Sequence, residues 1–222
     1  MTDVTTPRRR GRPAGLQGAE LLAVARGTLF ELGLGGTTMS EVATRAGISK
    51  ASLYREHDSK DALFAAVVLD WTAQGRDSMR PALDAILAAS DVTAGLTELA
   101  RVIQAGVFDD DVIRMRRLVA AEADRFPDVA AQYVADSWDR NIAALADTLA
   151  ELDRRGSLTI GEPSTAAEQF TWLAVAGPLN QQTLGADRMP PDRLERTAQE
   201  AVMTFLHRYG PRASGALISP AR

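Results

Sequence analysis

Apolar residues recur at helical spacing along most of this 222-residue chain. In the first such segment, residues 18–33, Leu21, Ala25, Leu29 and Leu32 lie three or four positions apart, which places an apolar stripe along an α-helix. We find no alternating strand pattern and no internal repeat. The sequence therefore predicts an all-α fold of about nine helices. They cover residues 18–33, two short stretches within 38–57, and residues 59–81, 91–106, 110–125, 128–155, 163–185 and 191–209.

Glycine and proline residues mark where several of these helices begin and end. Gly156 is expected to end a long helix, because glycine readily takes the left-handed conformation found at helix C-termini. Pro81 is expected to kink or break the fourth helix, and Pro127 to stop the helix before it. Ser164 and Thr165 are candidate N-caps of the next-to-last helix.

The stretch 38–57 has the pattern of two short helices joined by a tight turn. Thr38 and Glu41 have the spacing of a capping box, in which each side chain bonds a free backbone donor at the helix start. Gly47 stands where the chain must reverse, and Ser49 can cap the second helix. This pattern predicts a helix-turn-helix.

The second helix of this pair, residues 50–57, has one apolar side and one side rich in hydrogen-bond donors. Ala51 and Leu53 can pack inward. The donors are Lys50, Ser52, Tyr54 and Arg55. Such a helix can read base edges from the major groove of DNA. A helical hairpin that binds no DNA can share these features, so the flanking sequence also matters.

Charge divides the chain into a basic start and an acidic remainder. The formal net charge is −4, yet residues 1–60 hold nine Lys/Arg and six Asp/Glu, a net of +3, and the remainder has a net of −7. This asymmetry suits phosphate contact at one end only. We expect a basic flexible arm (1–15), a head (16–70), a helical body (71–210) and a loose tail (211–222).

The arm contains the run Arg8-Arg9-Arg10-Gly11-Arg12-Pro13, which resembles an AT-hook core. In such segments arginines enter narrow A·T minor grooves, where negative potential is concentrated. The candidate minor-groove contacts are Arg9, Arg10 and Arg12. A solvated basic tail that adds only non-specific affinity is the alternative.

The head as a whole resembles the DNA-binding domain of the TetR family of transcriptional regulators. The residues that carry the resemblance are Thr37-Thr38, Val42-Ala43, Ala46 to Tyr54, and Ser59 to Phe64. The resemblance covers roughly residues 17–70 and implies a three-helix domain with a helix-turn-helix. The body is similar to family ligand domains only in its helical pattern and in residues 117–123 and 125–127. The resemblance implies that the body is a helical bundle for ligand binding and dimerisation.

Two positions depart from the family pattern. His57 stands where the family generally has an aromatic or other apolar residue, so its ring must find a hydrogen-bond partner or stay partly in water. Glu56 would repel phosphates and can instead pair with Arg55 or a nearby arginine. These departures affect the far end of the recognition helix and not its start.

Resemblance and side-chain chemistry together give eight candidate DNA contacts. They are Thr38, Ser40, Lys50, Ala51, Ser52, Tyr54, Arg55 and Lys60. Lys50 is the leading base contact, since an ammonium can reach guanine O6 and N7. Tyr54 is the candidate phosphate clamp, and the resemblance directs Lys60 toward phosphate as well. Ala51 and Ser52 can equally serve helix packing.

The resemblance also implies a homodimer on double-stranded DNA. Two recognition helices about one helical turn apart, roughly 34–36 Å, would read a near-palindrome. Helices 163–185 and 191–209 are the candidate interface, because residues 172–179 are apolar almost all round and such a helix is buried on every side. A helix central to the monomer core is the alternative.

A small-molecule effector is implied in the same way, with an apolar pocket inside residues 75–185. Candidate lining residues are Met115, Tyr133, Trp138 and Phe170, within a wider set of aromatic and methionine residues, and each can equally be ordinary core. Few charged residues interrupt the apolar faces, which favours a neutral or hydrophobic effector. We expect a repressor that the effector releases, with the fourth helix as the lever.

Other classes of protein fit the sequence less well. There are two histidines and no metalloprotease, nucleophile-elbow or phosphate-loop motif, so we expect no enzyme, cofactor or metal site. The acidic run 109–111 could hold a cation, although negative charge at a helix start explains it better. The acidic body disfavours a DNA-packaging protein. A constitutive or activating regulator of the same fold remains open.

The composition bears on the compartment. Cysteine is absent, the N-terminus lacks a secretory signal, and no apolar run reaches eighteen residues. We therefore expect a cytoplasmic, nucleoid-associated protein without membrane contact.

Overall fold

The computed structural model describes residues 16–211, and within them the chain is helical apart from short connections, with no strand. Eleven α-helices follow one another. They are α1 (Gly18–Gly36), α2 (Met39–Arg45), α3 (Lys50–Glu56), α4 (Lys60–Gln74), α5 (Arg80–Ala88), α6 (Val92–Val107), α7 (Asp110–Glu122), α8 (Pro127–Tyr133), α9 (Arg140–Arg154), α10 (Pro163–Thr183) and α11 (Pro191–Tyr209). A π-helical turn, Val134–Asp139, joins α8 to α9. The predicted all-α class is confirmed.

The helix count exceeds the predicted nine at two places: the predicted helix 59–81 is α4 followed by α5, and the predicted helix 128–155 is divided into α8 and α9 by the π-helical turn. Pro81 lies in the first turn of α5, so it begins a helix instead of ending one. Pro127 lies in the first turn of α8, and α7 ends before it at Glu122, as expected. The first turn tolerates proline because its N–H groups have no helical partner. The predicted Ser164 or Thr165 cap is also wrong, since α10 begins after Glu162 without a side-chain cap. Gly156 ends α9 with φ 74°, as expected.

The chain divides into two compact units, the first ending at Asp70 and the second beginning at Trp71. In the first unit, α1 to α4 enclose a small apolar core. Its fully buried side chains include Leu21, Leu34, Val42, Leu53, Leu63, Phe64 and Val68. In α4, Phe64 and Val68 are four positions apart, as on one face of a helix, and Leu63 lies beside them.

The second unit is built around α10, which packs against α9, α11 and α6, while α5 packs against α6 and α9. Its core contains an aromatic pair, Phe170 of α10 and Phe205 of α11, with ring centroids 5.1 Å apart at an edge-to-face angle of 75°. Such pairs add specific geometry to the burial of apolar area. Across residues 16–211, no helix has the length and apolar character needed to cross a membrane.

Pro178 interrupts the hydrogen bonding of α10, and a buried glutamine compensates. Proline has no N–H, so the carbonyl of Ala174, four residues earlier, loses its helical donor. Gln104 of α6 is only 4% exposed, and its Nε2 donates to the carbonyls of Ala174 (3.0 Å) and Leu194 of α11 (3.1 Å). One side-chain amide thereby joins three helices and satisfies a buried carbonyl that α10 itself leaves free.

The acidic run 109–111 is used at the start of α7. Asp109 caps the helix through Oδ1, which accepts from the backbone N–H of Asp111 at 3.0 Å. Asp110 accepts from Arg188 Nε at 2.8 Å, and this guanidinium lowers the pKa of Asp110. The helix-start interpretation therefore accounts for these carboxylates.

Candidate nucleic-acid interface

The turn between α2 and α3 fixes the direction of the second helix. Gly47 has φ 67°, a left-handed conformation that glycine reaches without steric cost. Its N–H donates to Thr44 O at 3.1 Å, and the N–H of Ile48 donates to Ala43 O at 3.0 Å. These bonds close the end of α2, and Ile48 lies half-buried behind the turn.

Hydroxyl groups cap both helices at the predicted positions. Thr38 Oγ1 accepts from the N–H of Glu41 at 3.1 Å, and Ser49 Oγ accepts from the N–H of Ser52 at 3.0 Å. The capping box at Thr38 is only half formed, because the Glu41 carboxylate accepts from Arg45 Nε at 2.7 Å. The reciprocal bond predicted from the sequence is therefore replaced by an ion pair within α2.

Arg45 is a residue of this region that the sequence argument missed. Besides bonding Glu41, its Nη1 donates to Glu31 Oε2 of α1 at 2.6 Å. The hydrogen bonds to Glu31 and then Glu41 raise the pKa of Arg45. The i, i+4 spacing of Glu41 and Arg45 was a visible signal, whereas the Glu31 contact depends on the tertiary fold. Arg45 links α1 to α2, and its charge is used within the protein.

The outer face of α3 presents the two leading DNA-contact candidates together. Leu53 is fully buried, while Lys50, Ala51, Tyr54 and Arg55 are exposed, Tyr54 by 42%. Lys50 Nζ lies 5.7 Å from the centroid of the Tyr54 ring, within reach of a cation–π contact. A positive charge and a phenol hydroxyl therefore share one exposed turn of helix.

The far end of α3 differs from the expectation for Glu56. Arg55 Nη2 donates to Ser52 Oγ at 2.9 Å, and Ser52 is half-buried beside Ser49. No arginine between residues 16 and 211 forms an ion pair with Glu56, so the suggested pairing is wrong. His57 is half-buried, and its backbone N–H donates to Leu53 O in the last hydrogen bond of the helix.

The remaining candidates flank α3. Thr38 and Ser40 are exposed at the start of α2. Lys60 is half-buried, and its Nζ donates to Leu34 O at 2.6 Å, a bond that the sequence did not predict. An ammonium has three donors, so this bond leaves capacity for a phosphate. The arm residues Arg9, Arg10 and Arg12 lie outside the described residues.

Comparison with known proteins gives the family. The sequence model of the AefR-like transcriptional repressor C-terminal domain matches residues 94–211, more than half of the chain. The chain belongs to the TetR family of transcriptional regulators. The model of bacterial regulatory proteins of the tetR family matches residues 21–67, which contain the two helices of the predicted helix-turn-helix. As a TetR-family regulator, this protein is a DNA-binding transcriptional regulator and not an enzyme.

Solved structures of other TetR-family proteins have the same architecture. A transcriptional regulator from Mesorhizobium loti is 31% identical over 86% of this chain and 95% of its own, with a TM-score of 0.81. The flavonoid-responsive regulator FrrA is 26% identical over 87% and 96%, with a TM-score of 0.68. A regulator from Pseudomonas syringae pv. tomato, 19% identical over 86% and 96% with a TM-score of 0.67, shares the fold.

In the body of this TetR-family regulator, the four candidate pocket residues separate into two pairs. Met115 and Phe170 are fully buried side chains. Tyr133 and Trp138 are half-buried, and the Trp138 ring centroid lies 4.8 Å from that of Trp172 on α10. The structure therefore places Trp138 beside Trp172, and it places Phe170 in the main core.

Proposed function

We propose that this TetR-family regulator is a homodimeric repressor that binds a near-palindromic operator and is released by a small hydrophobic effector. The exposed face of α3 carries the DNA-binding part of the proposal. Lys50 and Tyr54 are exposed there, one helical turn apart, while Leu53 anchors the helix from behind. The protein would act in the cytoplasm, on chromosomal DNA.

Each DNA contact follows from the chemistry of its side chain. Lys50 would bond guanine O6 and N7 in the major groove, and Tyr54 would clamp a phosphate with its hydroxyl. Thr38 and Lys60 would hold phosphates beside the helix pair. The supporting contacts would come from Ser40, Ala51, Ser52 and Arg55 in the head and from Arg9, Arg10 and Arg12 in a minor-groove arm.

The proposed dimer interface lies on α10 and α11. Leu173 of α10 is 40% exposed although it is large and apolar, and Met203 of α11 is 65% exposed. Leu173 borders a surface groove along α11 that Ala201 and Thr204 also line. Exposed apolar side chains on adjacent helices support an isologous four-helix contact between two copies.

The apolar run 172–179 is divided between core and surface, which limits what a partner would cover. Ala174, Val175, Pro178 and Leu179 are buried within the chain itself. The sequence predicts burial on every side of this segment. The chain itself buries only half of the run. The other half is available to a second copy.

Release follows from linkage between effector and DNA. An effector that prefers a conformer with wrongly spaced heads lowers DNA affinity by its preference for that conformer. A shift from nearly full to nearly empty operator takes about 5.5 kcal/mol of such preference. The relative FrrA is flavonoid-responsive, which supports a small-molecule effector. α4 is the proposed lever.

The test is an electrophoretic shift titration with three duplexes. The first carries the near-palindromic operator, called here the palindrome. The second has one scrambled half-site, and the third is fully scrambled with the same base composition. We expect the palindrome to bind about a thousandfold or more tighter than the scrambled duplex at fixed salt. Equal affinity for the palindrome and the scrambled duplex would overturn the proposal.

A further inference from the structure

Four side chains form an aromatic and cationic group on the second unit, called here the aromatic cluster. They are Arg116 of α7, Tyr133 of α8, Trp138 of the π turn and Trp172 of α10. The Trp138 and Trp172 ring centroids lie 4.8 Å apart with their planes tilted by 40°. Arg116 Cζ lies 6.0 Å from the centroid of the Trp138 ring. The charge of Arg116 also acts on the Tyr133 hydroxyl, which places Tyr133 near the same guanidinium.

The π turn Val134–Asp139 lies between Tyr133 and Trp138. Residues five apart point in directions about 140° apart on an α-helix, and the wider i to i+5 turn of a π-helix reduces this angle. The N–H of Arg140 makes such a bond to Ala135 O, and the Ser137 hydroxyl donates to Tyr133 O at 2.5 Å. π turns in helices frequently mark functional sites.

Two polar groups of the aromatic cluster have unused bonding capacity. Within the described part of the chain, the Arg116 guanidinium pairs with no carboxylate and the Tyr133 hydroxyl makes no hydrogen bond, although both residues are half-buried. A tyrosine hydroxyl is protonated and can donate at neutral pH, and burial raises the pKa of Tyr133 further. A guanidinium and a hydroxyl in such a place suit an acidic ligand group.

The neighbouring arginines of α7 show that this situation is specific to Arg116. Arg114 lies 3.6 Å from the carboxylate of Asp111. Arg117 Nε donates to Gln182 O at the end of α10, at 3.1 Å. Their charges are therefore used within the protein, while that of Arg116 lies beside the Trp138 indole.

We propose that the aromatic cluster is the effector site and that it takes a flat aromatic ring bearing one carboxylate, an inference that rests on the proposed function. The ring would lie against Trp138 and Trp172, whose faces suit flat apolar surfaces. The two carboxylate oxygens would match the planar fork of Arg116, with Tyr133 as a further donor. A single arginine balances one negative charge, which favours a carboxylate over a doubly charged phosphate. The effector keeps the predicted hydrophobic surface but is not neutral.

The test uses the full chain and three probes that separate charge from shape. They are 2-naphthoate, the neutral 2-naphthalenemethanol, and cyclohexanecarboxylate, which has the charge without a flat ring. Binding is measured by calorimetry and by quenching of tryptophan fluorescence. We expect 2-naphthoate to bind about tenfold or more tighter than either other probe.

Variants locate the site. Arg116→Met should weaken 2-naphthoate about tenfold or more and leave 2-naphthalenemethanol unchanged, since only the acid uses the guanidinium. Trp138→Phe should weaken both naphthyl probes. Arg114→Met, on the same helix, is the matched control and should change neither. 2-Naphthoate should also release the palindrome from the wild-type protein but not from Arg116→Met.

The inference is overturned if the wild-type protein binds 2-naphthoate and 2-naphthalenemethanol equally, or binds no 2-naphthoate up to about 1 mM. It is also overturned if Arg114→Met and Arg116→Met lose the same affinity. In each case a retained preference for palindromic DNA leaves the proposed DNA-binding function standing. A wild-type protein without that preference would sink the proposed function instead. The wild-type probe comparison decides the matter even where a variant fails to fold.

Discussion

Lys50 and Tyr54 meet on the exposed surface of α3, with the ammonium nitrogen 5.7 Å from the ring centroid. This contact holds the lysine close to the helix while leaving its charge in water, which suits a side chain that must reach a base edge. The exposure of these residues was predictable, because the burial of Leu53 fixes the opposite face. The partners of Lys60 and Glu31 were not, because each depends on which carbonyl or guanidinium lies closest in the folded unit.

The first prediction concerns Lys50 itself. Lys50→Met keeps the length and helix propensity of the side chain but removes its charge and its donors. It should weaken binding to the selected operator by about 1–3 kcal/mol and relax the base preference at one position of each half-site. Fluorescence anisotropy on operators with single base changes measures both effects. Arg80→Met, on an exposed arginine of the second unit, is the control. An unchanged base preference in Lys50→Met would assign base reading to another residue.

At the scale of elements, apolar periodicity predicted most helices but missed two divisions, one before Pro81 within 59–81 and one at the π turn within 128–155. A proline can end one helix or start the next, and local sequence does not distinguish these roles. The role of Gln104 was equally hidden, because its partners Ala174 and Leu194 lie 70 and 90 residues further along the chain. The buried amide of Gln104 on α6 supplies the hydrogen bond that Pro178 removes from α10, so the two residues must be considered together.

The second prediction tests that pair. Gln104→Leu should destabilise the protein by about 1–3 kcal/mol, because it leaves the Ala174 carbonyl buried without a donor. Pro178→Ala returns a backbone N–H four residues after Ala174, so Gln104→Leu should cost less in that background. Urea unfolding of the four members of this double-mutant cycle measures the coupling. Strictly additive effects would show that Gln104 does not substitute for the missing N–H.

The third prediction concerns the pH dependence of a link between α6 and α11. Arg101 binds Glu195 through two bonds, of which Nε to Oε2 is 2.8 Å, and this lowers the pKa of Glu195 from 4.5 to about 2. The folded-state pKa lies below the unfolded one, so the ionised carboxylate stabilises the fold above about pH 4.5 and loses this effect as the pH falls toward 2.

Glu195→Gln should therefore be less stable than wild type at pH 7, with a difference that shrinks below about pH 4.5. Unfolding by urea at pH 7 and pH 3 measures it. Glu200→Gln, on the same helix, is the control, since within residues 16–211 Glu200 forms no ion pair. A difference that stays constant between the two pH values would contradict the assigned pKa.

At the scale of the whole molecule, the division into a DNA-binding head and a helical body was visible in charge and in the resemblance to the TetR family. The proposed effector site was not visible, because an apolar residue inside a helical bundle can line a pocket or fill the core. Met115 and Phe170 are fully buried, whereas Trp138 reaches the aromatic cluster through a π turn that periodicity does not predict. The π turn, which composition does not reveal, distinguishes Tyr133 and Trp138 from the buried pair Met115 and Phe170.

The fourth prediction concerns assembly. Leu173→Glu and Met203→Glu place a charge in the proposed α10–α11 interface, where an unpaired carboxylate is costly to bury. Both should give monomers in sedimentation velocity and should weaken operator binding about a hundredfold, because the second head no longer binds as part of the same particle. Leu32→Glu, on an exposed leucine of the first unit, should leave the dimer intact. Dimers in both interface variants would exclude this face.

The most direct test of the central claim, that the exposed face of α3 reads DNA as one of a symmetric pair, is the sequence that the full-length protein selects from a pool of random duplexes. The account predicts an inverted repeat whose half-site centres lie about one helical turn apart, roughly 34–36 Å, with a guanine whose enrichment disappears in Lys50→Met. A selected pool without inverted symmetry, or one that Lys50→Met leaves unchanged, would contradict it.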